Sequence, residues 1–562
     1  MFILKSLFTL LPLNDVVKQA IICHIIIIKM GNKVNNKNKV KTSLTKFFSI
    51  AMLLQLMYLE CYANDNNKSM APDECTTSQY DGLNNVKAYC QKDSYACVSS
   101  PYGGCSTVGN PWPANQCSTQ CEVSKNAPWI NPKIAKPTGA TDRTITYKNS
   151  CDFDVWVGYT GGSIDGAPSC KTNADCGITG AVCDSKANQC YWGIPSMTNN
   201  DNTIKKLYLA KKTGNSSITL NSPIHQEDAS HPWVKWSGNT WASSECKGSG
   251  SNIVCETAVC PTGGCTAFTG PKGALSLAEF TLQASAQDYY DISIIGGYNI
   301  PVSMKPTSGQ TYASAPTGSS QQTDGIGNTV TVNPNAYWCS EPGAAKVASG
   351  SALTACSWET NPSPAYTKEQ LRFVSPPDTT TLVSCTKDSD CAKVTDGTSC
   401  GLYSSLTDKI KQICGSPRGW WSANQVCADD ASSTIGNNVF KCDTTITGQG
   451  KVKNLYSCNG INNTSGYAAA ADITSTLCGC NDWNYPVNGH GCNGSNAQWV
   501  SHALPEAKIK KEACPTAYSY PFDDETSTFV CQSNPDPITS GAITANNINY
   551  TITFCPEGKT GR

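Results

Sequence analysis

Between Leu275 and Pro306 the chain alternates apolar and polar residues with a period of two. In the first run Ala278, Phe280 and Leu282 fall on one side, with Leu277, Glu279 and Thr281 on the other. In the second, Tyr290, Ile292 and Ile294 alternate with Tyr289, Asp291 and Ser293. The pattern predicts two strands joined by a turn. One face is apolar enough to bury, and the other presents Glu279 and Asp291. Two carboxyls on one sheet face suit charge complementarity or acid and base work on a glycosidic bond. They equally describe two solvated acids on the open face of a sandwich. Beyond Pro306 a Ser, Thr, Gly and Gln-rich stretch to Gly327 reads as an exposed loop. From Tyr337 to Lys511 the chain is cysteine-rich and irregular, and Pro505 to Ala513 reads as a short helix leading into Cys514.

The amino-terminal region follows a different logic. Met1 to Lys29 carries two apolar patches, and a better-formed secretory signal starts at Met30. Its basic region holds Lys33, Lys37, Lys39, Lys41 and Lys46; Phe47 to Leu59 is the apolar core, and Cys61-Tyr62-Ala63 offers cleavage positions. Translation is therefore expected to begin at Met30 and the mature chain near Asn64. A membrane anchor is the competing reading, although each apolar run is short for a bilayer span.

Cysteine content points the same way. Of 32 cysteines, loss of Cys23 and Cys61 with the leader leaves 30, an even number that fits paired thiols in an oxidising compartment. A net charge of −1 supplies no global attraction to nucleic acid or to a membrane surface. No serine-triad motif, phosphate loop or dinucleotide fingerprint is present, and no cofactor is implied. Cys170, Cys176, Cys183 and Cys190 form one compact cluster, and Cys385, Cys391 and Cys400, with Cys414 following, form a second. Both open with Cys, five residues ending in Asp, then Cys, a weak internal repeat of a stapled loop. Disulfides explain these clusters, and His490 beside Cys478, Cys480 and Cys492, better than a metal does.

Longer matches carry a family resemblance. The segment LAEF followed by DYYDISIIGGYNIPVSM resembles the central signature of thaumatin-like proteins, the plant defence and sweet-protein family. TITYKNSCDFDVWVGY from Thr144 resembles the family's first strands, and CPTAYSYPFDDETSTFVC with NYTITFCP, within 514–556, resembles its closing segment. TWASSEC with Cys255, Cys260 and Cys265 resembles its tight group of four cysteines. The resemblance implies a mainly β fold, a thaumatin-like antiparallel β-sandwich with a disulfide-rich loop and helix lobe. It also implies pairing of Cys151 with Cys555, Cys246 with Cys255 and Cys260 with Cys265, and of Cys514 and Cys531 with Cys356 and Cys339. The first bond closes so long a loop that its entropic effect is on the order of 5 kcal/mol.

Family members hold an acidic cleft between sandwich and lobe, lined by one Arg, one Glu and three Asp, and several bind β-1,3-glucans. By position the Glu is Glu279, the first Asp is Asp291, and the last falls in the pair Asp523-Asp524, with Asp523 favoured. Glu279 would be the acid if its surroundings raise its pKa. Two positions depart: Ser243 stands where the Arg is expected and Gly296 where an Asp is expected. Trp420, Trp421, Trp483, Tyr485 and Trp499 offer flat rings for sugar, or fill the core of a lobe short of aliphatics.

The expected organisation is thus a mis-assigned start over 1–29, a signal peptide over 30–63, a cysteine-rich module over 64–126 and a linker over 127–143. The sandwich follows over 144–334 with an insert at 168–192, then an enlarged lobe over 335–510 and a closing segment over 511–562. The expected protein is a secreted monomer with no membrane span in its mature chain. It binds a cell-wall β-glucan with weak hydrolysis, or serves as a non-catalytic interaction or inhibitor-like module. Sequons at Asn215, Asn462, Asn463, Asn493 and Asn549 matter where the host glycosylates.

Overall fold

The computed structural model describes residues 137–562 except 138, 196–206, 227–232, 249–252, 262–263, 316–319, 324–328, 333, 395–397, 405–408, 447–449, 459–496 and 534–544, with the backbone of Ala88–Gln91 and Ala96–Ser99. The expected start, the signal segment and nearly all of the cysteine-rich module lie outside the described residues. So do Trp483, Tyr485, His490, Cys478, Cys480 and Cys492.

Fifteen strands and three helices position the site. The strands are β1 (Arg143–Asn149), β2 (Val155–Gly161), β3 (Leu207–Leu209), β4 (Asn215–Leu220) and β5 (His225–Gln226). Next come β6 (Trp233–Ser244), β7 (Leu277–Gln283), β8 (Asp288–Ser293), β9 (Gly297–Tyr298) and β10 (Val302–Pro306). The lobe supplies β11 (Arg372–Ser375), β12 (Ser399–Tyr403) and β13 (Lys411–Trp421), and the chain closes with β14 (Phe529–Cys531) and β15 (Tyr550–Phe554). The helices are α1 (Ala423–Asp430), α2 (Leu504–Ala513) and α3 (Asp524–Ser527).

Seven strands form one sheet in the order β14-β8-β7-β6-β2-β3, with β5 beside β6, and four form a second in the order β10-β15-β1-β4. Their inner faces share one core. Tyr147, Val157, Tyr159, Phe280, Leu282, Tyr290, Ile292, Met304, Tyr550 and Ile552 are all buried in it. Alternation along β7 and β8 is as the sequence predicts, with Ala278, Phe280, Leu282, Tyr290 and Ile292 inside. One pairing departs from an all-antiparallel sandwich: β1 and β15 run parallel. No hairpin turn joins them, so nothing in the local chain requires the antiparallel arrangement. Cys151–Cys555 staples these first and last strands across 404 residues.

Ten disulfides join described residues, among them Cys246–Cys255, Cys260–Cys265, Cys339–Cys531 and Cys356–Cys514. The two similar inserts share a connectivity, first to third and second to fourth: Cys170–Cys183 with Cys176–Cys190, and Cys385–Cys400 with Cys391–Cys414. In each, an aspartate caps a single helical turn. Asp175 accepts from the Lys171 and Thr172 amides, and Asp390 from those of Thr386 and Lys387. The lobe has its own core around Phe373, Leu402, Trp421, Val426, Leu455 and Trp499. Its sheet, β9-β13-β11-β12, reaches the sandwich through β9. Gly297 makes that junction with φ of 91°; a Cβ there would lie 2.2 Å from the Trp420 carbonyl oxygen.

Two buried titratable groups oppose each other in their pH dependence. Asp288 is enclosed with Arg143, and burial pushes its carboxyl up to about 6 although the guanidinium pulls it down. Proton uptake by Asp288 therefore favours the fold as pH falls through 6. His225 packs near Trp192 (6.2 Å between ring centroids), its Nε2 is buried without a hydrogen-bond partner, and desolvation lowers it to about 4. Its neutral form supports the fold above 6.5, and the support is lost as pH falls toward 4. The loss amounts to about 3 kcal/mol. Urea unfolding of wild type and His225→Phe across this range should show the variant gaining on wild type as pH falls. Parallel profiles would contradict this account of His225.

Candidate functional site

The outer face of the seven-stranded sheet carries the candidate residues. Glu279 on β7 is the direct antiparallel partner of Asp291 on β8, and Asn239 on β6 is the partner of Glu279 from the other side. Directly opposed partners hold their Cβ atoms about 4.5–5.5 Å apart and point to the same face. Both carboxyls are half-buried. The rung therefore sets the two carboxyls side by side on one face, a placement open to an acid pair acting on a glycosidic bond.

Their surroundings differ. Burial raises the Glu279 pKa, while donors on Ser293 and Asn239 pull it back. Asn239 also accepts from Thr160 Oγ1, which fixes its amide. Asp291 is pushed well above the usual carboxylate range by burial, then by the charges of Glu279 and Asp524. Its Oδ1 is buried with no hydrogen-bond partner. Asp524, at the start of α3, accepts from Tyr518 Oη at 2.7 Å, and Tyr518 also pairs with Thr528. Tyr518 is held at the sheet by backbone bonds to Ile292 and Ile294. Two residues before Asp291 on the same face, Tyr289 is 41 % exposed, and Gln287 donates to its hydroxyl at 2.9 Å.

Several residues nominated from sequence stand elsewhere. Asp523 is fully buried, pairs with Lys511 at 2.8 Å and accepts from the amide and hydroxyl of Ser519 and the hydroxyl of Thr526. It is a strut inside the closing segment, and its neighbour Asp524 is the acid beside Asp291. Ser243 shares the face of Glu279, four residues beyond Asn239, but it is fully buried and donates to the Ala258 carbonyl at 3.0 Å. The segment between Cys246 and Leu275 packs over it there, with Trp241, Ala258, Cys265 and Leu275 forming a small core. An arginine at 243 would bury a guanidinium, so restoring one is a destabilising change. A side chain at Gly296 would meet Gln425 Oε1, 3.1 Å from the added Cβ.

The nominated tryptophans among the described residues are packing residues. Trp421 is buried, stands edge-on to Phe373 and donates to the Leu402 carbonyl at 3.2 Å. Trp420 is half-buried and donates to the Gly561 carbonyl at 2.8 Å, fastening β13 to the chain end. Trp499 is buried against Tyr520. Missed in their place were Asn239, Ser293, Tyr289 and Tyr518. The first three were within reach of the alternation, since each lies on the acidic face of its strand. Tyr518 had no signal outside the closing segment.

The two cysteine groups Cys170, Cys176, Cys190 and Cys385, Cys391, Cys414 bring their sulfurs within 4.8 Å, but each of those sulfurs is in a disulfide and is no thiolate ligand. An open cavity of about 290 Å³ is lined by Lys305, Glu341, Lys346 and Glu557 among others, and none of the acids above borders it. Its Lys305 and Glu341 are spent on each other at 3.0 Å. Among the described residues no helix is long and apolar enough to cross a membrane.

Residues 188–433 match the Thaumatin family. The chain is 30% identical over 175 residues to thaumatin-like protein 2 of Prunus persica, covering 30% of this chain and 51% of the relative. It is 32% identical over 176 residues to thaumatin-like protein 1a of Malus domestica, covering 31% and 52%. It is 29% identical over 176 residues to a glucan endo-1,3-beta-glucosidase of Prunus avium, covering 30% and 52%. The match thus spans about half the length of each of these relatives.

The two adjacent aspartates separate by experiment. Asp523→Asn strands the buried Lys511 charge and should cost about 3–5 kcal/mol in urea unfolding. Asp524→Asn should change stability far less. Equal costs would mean that the two roles are assigned wrongly.

Proposed function

That the chain carries a thaumatin-like domain is the premise from which we propose its function: it binds a β-1,3-glucan on the acidic face of the seven-stranded sheet, outside the cytoplasm, and hydrolyses it slowly. One observation carries the reading. Glu279 and Asp291 face each other on a single antiparallel rung, half-buried, with Asp524 beside them. Carboxyls so placed can accept hydrogen bonds from sugar hydroxyls, and two of them on one face can act as a pair at an anomeric carbon. Tyr289 adds an exposed ring two residues away, a flat surface for the C–H faces of a sugar. It takes the part that Trp420 and Trp421, committed to the lobe joint, do not play. Binding ranks above turnover because, among the described residues, neither carboxyl is paired with a Lys or Arg to orient it. Similarity to the glucan endo-1,3-beta-glucosidase of Prunus avium supports a β-1,3-glucan as the ligand class. The ten described disulfides support an oxidising, extracytoplasmic setting.

The full chain should co-sediment with insoluble β-1,3-glucan. Tyr289→Ala should weaken that retention. Glu279→Gln should keep it while lowering release of soluble sugar by at least about a hundredfold, since a glutamine can serve neither as proton donor nor as nucleophile. A folded chain that stays in the supernatant would favour an interaction module using only the stapled scaffold.

A further inference from the structure

We propose that Asp291, rather than Glu279, holds the proton that the two carboxyls share, and that Asn239 and Ser293 are positioning residues that keep Glu279 ionised. The rung is symmetric in backbone terms, so the asymmetry comes from what faces each side chain. Glu279 lies between two donors, the amide of Asn239 on β6 and the hydroxyl of Ser293 on β8. Both favour a carboxylate, since a charged acceptor gains most from a donor. Asp291 has the opposite surroundings. Glu279 faces it from β7 and Asp524 from α3, both acids. Tyr518, a further titratable group beside it, spends its hydroxyl proton on Asp524. The buried Oδ1 of Asp291 meets no donor. A half-buried carboxyl with two acidic neighbours and no donor keeps its proton, as the direction of its shift agrees.

The consequence for chemistry rests on the glucan reading above. The proton on Asp291 passes to the departing glycosidic oxygen as its bond to the anomeric carbon breaks, while the Glu279 carboxylate forms a bond to that carbon. Water then displaces Glu279 from the glycosyl ester; its proton goes to the Asp291 carboxylate, and Glu279 leaves as the carboxylate. Atoms and charge return to the starting state without another reactant. The acid and the nucleophile are thereby exchanged relative to the expectation from sequence, where Glu279 was the acid.

The proton can be located without substrate, so failure of the glucan reading and failure of this one are distinguishable. Two samples of the full chain are labelled with carbon-13, one at aspartate Cγ and one at glutamate Cδ, and titrated by NMR. Asp291→Asn and Glu279→Gln identify the two resonances by their disappearance. The Asp291 carbon should still report the neutral acid at a pH where the Glu279 carbon reports the carboxylate. Ser293→Ala, which removes one donor, should shift the Glu279 midpoint upward, a change that a merely structural serine would not produce. A Glu279 carbon that stays in the acid form while Asp291 is ionised overturns the proposal. So does joint ionisation of both at the same pH, or a Glu279 midpoint that Ser293→Ala leaves in place.

Discussion

The buried pair Arg143–Asp288 is the constraint around which the sandwich closes. Arg143 opens the first strand of the four-stranded sheet, and Asp288 opens β8 of the seven-stranded one. The guanidinium also donates to the carbonyls of Ile548, Asn546 and Gln283, and Asp288 accepts from Tyr550 Oη at 2.8 Å and the Gln283 amide at 2.8 Å. One ion pair therefore ties together both sheets, the turn between β7 and β8, and the last strand. Burying two charges is costly unless their hydrogen bonds are filled, and here each partner has several. Asp291 stands three residues along β8 from Asp288, so the site inherits its placement from this knot.

The acidic face exists because the opposite face of the same strands is consumed by the core. Phe280 and Tyr290 pair on the inner side as Glu279 and Asp291 pair on the outer. A one-residue slip of register would exchange the two faces, so the core fixes the acids as firmly as it fixes itself. The enlarged regions leave this arrangement intact. Both stapled inserts carry two disulfides of their own; the first packs Cys170, Cys176 and Cys190 into the sandwich core, and the second is built on β12 and β13 of the lobe. The lobe meets the sandwich at Gly297, where the positive φ and the Trp420 carbonyl leave no room for a Cβ, while at Gly296 a side chain would have to displace the end of Gln425.

Much of this was legible in the sequence because period-two alternation reports directly on the two faces of a strand. Glu279, Asp291 and Ser293 sit where that pattern puts them. Depth was not legible. Ser243 is on the correct face, yet the segment after Cys246 covers it, and no alternation reports what a distant loop covers. The choice between Asp523 and Asp524 turned on which carboxyl Lys511 captures, a contact set by the packing of α2. The tryptophans misled for a related reason: a large ring suits a sugar platform and a core equally, and burial decides. Tyr289 was written on the polar side of its strand, but its exposure emerges only with the fold.

The central claim is that the acidic face, and not the lobe or the open cavity near Lys305, engages a β-1,3-glucan. A structure of the full chain with a β-1,3-gluco-oligosaccharide tests it most directly. The account predicts a sugar ring against Tyr289 with hydroxyls within hydrogen-bond distance of Glu279 and Asp524. An oligosaccharide ordered anywhere else on the chain, with the Glu279–Asp291 rung untouched, would contradict it.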